Sequence, residues 1–162
     1  ATDVHAFHAF AAFEPLAAGH FTKVKRWKKK CLFGEILRQR WHRPGQPEEL
    51  VVVKVMSSAR VDSCRSGEPD DRKAFCQGMG AQEDALNEIG VYAHLRAQPD
   101  GCDYLLGMLG AFRDDTSTWL VLENCNGGDL FDRVEKDRMD NGGHLEEQHM
   151  IRYVGQLLQA VR

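Results

Sequence analysis

The sequence predicts an α+β fold: a small, twisted antiparallel sheet with one helix packed across it, then a connecting segment and the first helices of a second, mostly helical lobe. Three observations predict it. Val51-Val52-Val53-Lys54 is a run of β-branched residues that ends in a lysine. Such a run makes a buried strand, and an ammonium group there needs a fixed anionic partner or it loses its charge. Ala85 to Leu95 carries apolar residues at helical period and contains Glu88, which can be that partner. Tyr104–Phe112 and Thr118–Leu122 are apolar runs joined by the polar turn Arg113-Asp114-Asp115-Thr116, the signature of a hairpin.

Taken in order, residues 1–12 are small and apolar without period, and read as a tail. Phe13 to Val24 reads as a strand, a turn at Gly19 and the start of a second strand. Strand character continues from Lys23 to Trp41 with a strongly basic composition, and Arg43-Pro44-Gly45-Gln46-Pro47-Glu48 makes a turn. Leu50 to Met56 is the buried strand. Ser57 to Gly80 has little periodicity and reads as a long exposed loop or insertion. A helix follows from about Asp84 to Leu95, then the hairpin, a linker turn at Gly127-Gly128 and a short helix that Leu130 to Val134 starts. The clearest helix is the last, Leu145 to Arg162. Its residues Met150, Ile151, Val154, Leu157, Leu158 and Val161 fall three and four apart behind acidic Glu146 and Glu147, which suit the positive helix end. Each of these side chains is worth roughly 1.5–3 kcal/mol when buried. The rest of the chain offers them no obvious partner, so either this helix packs on something absent or the sequence is a fragment, and a fragment is the expectation.

Composition narrows the class. The chain has 162 residues, enough for one domain with a core or one domain and part of another. Its net charge of −3 says little about partners. No apolar run reaches the ~18–20 residues of a membrane span, and no basic segment precedes an apolar one at the start, so an intracellular protein is expected. The five cysteines are odd in number and contain no C-x-x-C pair, which disfavours a disulfide framework or a zinc site. His5 and His8 are close in sequence but lie in the tail and are not read as metal ligands. The basic residues between Lys23 and Arg43, interleaved with Trp27 and Trp41, are read as a solvated hairpin; an acidic-lipid or nucleic-acid patch is the alternative.

The order of these segments resembles the amino-terminal half of a eukaryotic protein kinase domain, from about Phe13 to Arg162. Leu16-Ala17-Ala18-Gly19-His20-Phe21-Thr22-Lys23-Val24 resembles the G-x-G-x-x-G-x-V loop over the ATP phosphates, with Gly19 at its middle glycine and Val24 at its valine. Ala17 and Thr22 replace the other two glycines, and a β-carbon there limits how closely the backbone approaches a phosphate. Val51-Val52-Val53-Lys54 resembles V-A-I-K, and Glu88 the helix glutamate that pairs with the lysine. Trp119 to Cys125 resembles the hinge, with Leu122 as gatekeeper and Glu123 and Cys125 offering backbone groups to adenine. Asp129, behind Gly127-Gly128, stands where an acidic side chain meets the ribose; it also suits the cap of the helix it precedes. Gly127 to Val134 is similar to calcium/calmodulin-dependent and plant-type calcium-dependent serine/threonine kinases.

The resemblance implies an amino-terminal lobe over 13–123, with insertions near 28–45 and 57–82, and a hinge with the first helices of a second lobe over 124–162. It implies that ATP is bound by Leu16, Gly19, Val24, Val52, Lys54, Leu122, Glu123, Cys125 and Asp129, that Lys54 and Glu88 serve catalysis, and that the substrate is a protein. The Val24–Lys54 and Lys54–Glu88 intervals are longer than usual in the family. H-R-D, D-F-G and A-P-E do not occur in the sequence, so the catalytic base and the magnesium-holding residues of a complete kinase are absent from it. A non-catalytic nucleotide-binding or interaction module is the alternative.

Overall fold

The structure, a computed structural model, describes residues 6–31, 33–66, 84–98 and 101–161, the side chains of 25–27, 65 and 66 excepted. Most of the 57–82 insertion and the basic residues Lys25 and Arg26 with Trp27 thus lie outside the described residues or side chains. The chain divides into two compact units, Ala1–Pro99 with Gly107–Asn124, and Asp100–Leu106 with Cys125–Arg162.

The first unit is built on a six-stranded sheet. Its strands are β1 (Glu14–Pro15), β2 (Phe21–Cys31), β3 (Gly34–Trp41), β4 (Glu49–Ser57), β5 (Met108–Arg113) and β6 (Ser117–Glu123), in the order β1-β5-β6-β4-β3-β2. All pairings are antiparallel except β1 with β5, so the sheet is mixed where an antiparallel one was expected. β4 lies inside, between β3 and β6, which is why its sequence is apolar on both faces. Val51 and Val53 point to one face, in a cluster with Trp41, Phe112 and Val121. Met56 points to the other, with Leu120, Leu122 and the helix residues Val61, Leu86 and Ile89. Those helices are α1 (Ser58–Ser66) and α2 (Ala85–Arg96).

Two expectations need correction. The segment after β4 is not all loop, because β4 continues directly into α1, Ser58–Ser66, which buries Val61 completely. Lys28–Cys31 ends β2 and pairs with Gly34–Leu37 of β3, and Gly34–Trp41 pairs in register with Glu49–Met56 of β4. Residues 7–13, read mostly as tail, are ordered against the first unit, with a 3-10 turn at His8–Phe10 and with Ala11 and Phe13 packed on the helix-side core.

The β5–β6 turn shows how a short polar segment fixes strand register. Asp114 Oδ1 accepts from Thr116 N (2.8 Å), Thr116 Oγ1 (3.0 Å) and Ser117 N (2.7 Å). The backbone donors of Thr116, then Ser117, hold its carboxyl below the ordinary range. A carboxylate with a depressed pKa stabilises the fold above its unfolded value, and loses that contribution as pH falls through the folded one. Asp114→Ala is therefore expected to destabilise by about 1 kcal/mol at neutral pH, the low end for an exposed charge-assisted set. Denaturant unfolding should show this difference shrinking below the ordinary carboxylate range.

The second unit contains α3 (Leu130–Asp140) and α4 (Glu147–Ala160). The helix that Leu130–Val134 starts runs on to Asp140. Asp129 caps it by accepting from Asp132 N at 2.8 Å. Buried Asp137 ties the two helices together, accepting from Tyr153 Oη at 2.6 Å and pairing with Arg133 at 3.1 Å. The Tyr153 hydroxyl, with Arg133 and His149 close by, lowers its pKa. Among the described residues, no helix is long and apolar enough to cross a membrane.

Candidate functional site

Lys54 and Glu88 meet. Lys54 lies on the helix-facing side of β4, in alternation with Val52 and Met56, and its Nζ stands 2.6 Å from Glu88 Oε2. The lysine side chain is 14% exposed and the glutamate 33%, so the pair is partly shielded and still open to solvent. α2 brings Glu88 there because its apolar residues Ala85, Leu86 and Ile89 bury against the sheet, which fixes the helix rotation. Asp84 caps the helix, its side chain accepting from Asn87 N at 2.9 Å, and so fixes where the first turn begins.

Around this pair, antiparallel partners share a face. Ile36 stands opposite Lys54 on β3, Leu120 opposite it on β6, and Val52 faces Leu122. Lys54, Val52 and Leu122 therefore form one patch on the helix side of the sheet. Leu122 is buried in the helix-side core. Glu123 ends β6 and is exposed, with its N donating to Gly107 O (3.0 Å) and its Oε1 accepting from Gly107 N (2.8 Å). Alternation from Thr22, which pairs with Arg40, puts Val24 on the same face, though on the edge strand β2 next to a register shift.

Leu16 and Gly19 do not join this patch. β1 and β2 lie at opposite edges of the sheet, so residues 16–20 must cross it, and they do so on the face away from Lys54. Leu16 packs there with Val51, Val53, Phe112 and Val121, and the His20 ring lies 5.6 Å from Phe112. Gly19 has φ +81 in an open turn; its glycine character serves that left-handed backbone rather than an approach to phosphate. The turn that does join the first two long strands contains Gly34. Lys29-x-Cys31-x-x-Gly34-x-Ile36 has the spacing of the glycine loop, with one glycine kept and Ile36 beside Lys54. The signal for this alternative was present in the sequence: Gly34-x-Ile36 lies much nearer Lys54 than Val24 does, and it removes the overlong interval. A β-carbon at Gly34 would run into the Val55 carbonyl, so its smallness already serves strand packing.

Cys125 and Asp129 belong to the second unit, Cys125 exposed and Asp129 engaged as the α3 cap.

No protein-family model matches the chain. Individual proteins do. It is 31% identical over 122 residues to the serine/threonine-protein kinase Nek9 of Mus musculus, across 74% of this chain and 10% of that one. It is 31% identical over 132 residues to calcium-dependent protein kinase 12 of Arabidopsis thaliana, across 82% of this chain and 23% of the relative. An Aurora kinase of Patiria pectinifera matches at 29% over 89 residues, 55% of this chain and 20% of its own length. The chain thus spans a quarter or less of each of these relatives. With relatives of one kind aligned across most of its length, and a β4 lysine held by a helix glutamate, the chain belongs to the protein kinase family.

Proposed function

We propose that these residues are the ATP-binding part of an intracellular protein kinase that phosphorylates serine or threonine in protein substrates. The observation that carries this is the Lys54–Glu88 ion pair at 2.6 Å, flanked on the same face by Val52 and Leu122. Lys54 grips the α- and β-phosphates and Glu88 keeps it aimed. Val52, Leu122, Ile36 and Val24 supply apolar walls for adenine. The backbone of Glu123, at the end of β6, offers a hinge hydrogen bond to the base. Relatives named serine/threonine and calcium-dependent kinases support the specificity and the subgroup.

The residues present suit a nucleotide triphosphate in part. A shielded lysine oriented by a carboxylate fits a polyphosphate, and an adjoining apolar patch fits a base. The β2–β3 turn fits less well, because Lys29 and Cys31 stand where glycines let backbone N–H groups reach the phosphates. Magnesium, when bound in a complete kinase, neutralises the phosphate charge; its ligands lie in motifs these residues lack. The 162 residues alone should therefore bind ATP weakly and transfer no phosphate. A thermal shift that appears only at millimolar ATP, with no transfer to a protein substrate, is expected. Robust transfer by the purified chain, free of contaminating kinase, would overturn this, and so would the absence of any shift.

A further inference from the structure

The segment before the sheet touches the helix that carries Glu88, and it does so at the turn where Glu88 sits. His8 Nε2 lies 2.7 Å from Asp84 Oδ2, while the other oxygen of that carboxylate caps α2 through Asn87 N. One turn further along, Gly90 lies flat against Phe7: a β-carbon at Gly90 would collide with the Phe7 carbonyl. Farther down the helix, the His94 ring is flanked by Phe7 at 5.5 Å and Phe10 at 4.9 Å. The same segment is held at its other end by the sheet. The Arg113 guanidinium lies 5.1 Å over the Phe13 ring, and Glu14–Pro15 pairs in parallel with Phe112–Arg113 of β5. It therefore spans from α2 to the β5 edge.

We propose that Phe7–Pro15 is a positioning strap that holds α2 in the orientation bringing Glu88 to Lys54, so that release of the strap weakens nucleotide binding at a distance. The ATP readout rests on the function proposed above, and the exchange readout does not. A glycine on a helix face normally weakens the helix, and alanine is the better helix former. Gly90 is tolerated in α2 because the strap backbone needs the space of its missing side chain. Gly90→Ala thus pits two effects against each other: it strengthens the isolated helix and evicts the strap. Nothing in the Lys54–Glu88 pair itself is altered.

The test uses the 162-residue chain, its Gly90→Ala and His8→Ala variants, and a form lacking residues 1–12, with amide hydrogen exchange and ATP titration on each. The proposal expects exchange across residues 85–96 to rise roughly tenfold or more in Gly90→Ala and in the shortened form. β4 and β6 should stay protected, and ATP affinity should fall several-fold. It also expects non-additivity: in a Glu88→Gln background, removing the strap should weaken ATP no further, because the carboxylate through which it acts is gone. Slower or unchanged exchange in α2 of Gly90→Ala, or an equal loss of ATP affinity with and without the Glu88 carboxylate, would overturn the proposal. If the unaltered chain binds no ATP, the nucleotide reading fails, and the exchange comparison alone decides the strap: faster exchange supports it and unchanged exchange defeats it.

Discussion

Lys54→Met should abolish the ATP-dependent thermal shift and leave the fold in place. The pair it breaks is partly open to solvent, so the glutamate left behind can hydrate, and the stability lost should be small. Binding should suffer far more. The loop residues Lys29 and Cys31 deny the phosphates part of the usual backbone cradle, which concentrates the charge compensation on Lys54. Opposite charges about 4 Å apart at an effective dielectric near 20 attract by roughly 4 kcal/mol before desolvation, and that attraction vanishes with the ammonium. Ligand at tenfold excess over its dissociation constant stabilises by roughly 1.4 kcal/mol, which moves the melting temperature by roughly 3–6 °C for a chain of this size. Lys54→Met should show none of that shift at the same ATP concentration. Glu88→Gln keeps the ammonium but loses its orienting charge, and should retain a reduced shift. A Lys54→Met protein with the full shift would mean that ATP binds elsewhere or that the β4 lysine is a bystander.

The parts of this molecule that were legible in the sequence are those where one residue pattern admits one physical solution. Val51-Val52-Val53 could only be a strand buried on both sides, and it is the one between β3 and β6. A lysine closing that strand required a carboxylate, and Glu88 was the helix residue able to reach it. Two glycines, Gly19 and Gly34, each stand two or more residues from a β-branched one, and local spacing cannot say which turn joins neighbouring strands. The decision is topological: β1 pairs with β5, so the Gly19 turn is carried to the face away from Lys54. α1 was missed for another reason. Ser58–Ser66 has little amphipathic period, and it is helical because Val61 and half-buried Cys64 reach the core in tertiary structure. The strap was unreadable for the same reason, since small apolar residues without period carry no sign of the Gly90 surface they rest on.

Replacing Val154 and Leu158 with glutamate should turn an associating chain into a monomer. α4 has the stripe the sequence suggested, over Glu147–Ala160. Met150 is 45% exposed, Ile151 64%, Val154 46%, Leu157 55%, Leu158 63% and Val161 80%. The opposite side of the helix is the occupied one, where Tyr153 reaches Asp137 on α3. The apolar stripe is thus left without cover among the described residues. Contiguous apolar surface of more than a few hundred Å² draws a partner or a second copy, and each of these side chains returns roughly 1.5–3 kcal/mol if fully buried. The unaltered chain should therefore sediment as an oligomer or aggregate with rising concentration. The double variant should sediment as a monomer. Because neither residue contributes to the first unit, β4, α2 and the Lys54–Glu88 pair should persist, and any ATP-dependent thermal shift should survive the change. An unaltered chain that stays monomeric at the highest concentration reached, with the α4 side chains protected from solvent in a footprinting experiment, would show that the chain covers this stripe itself. A self-contained interaction module would then be the better account of the second unit.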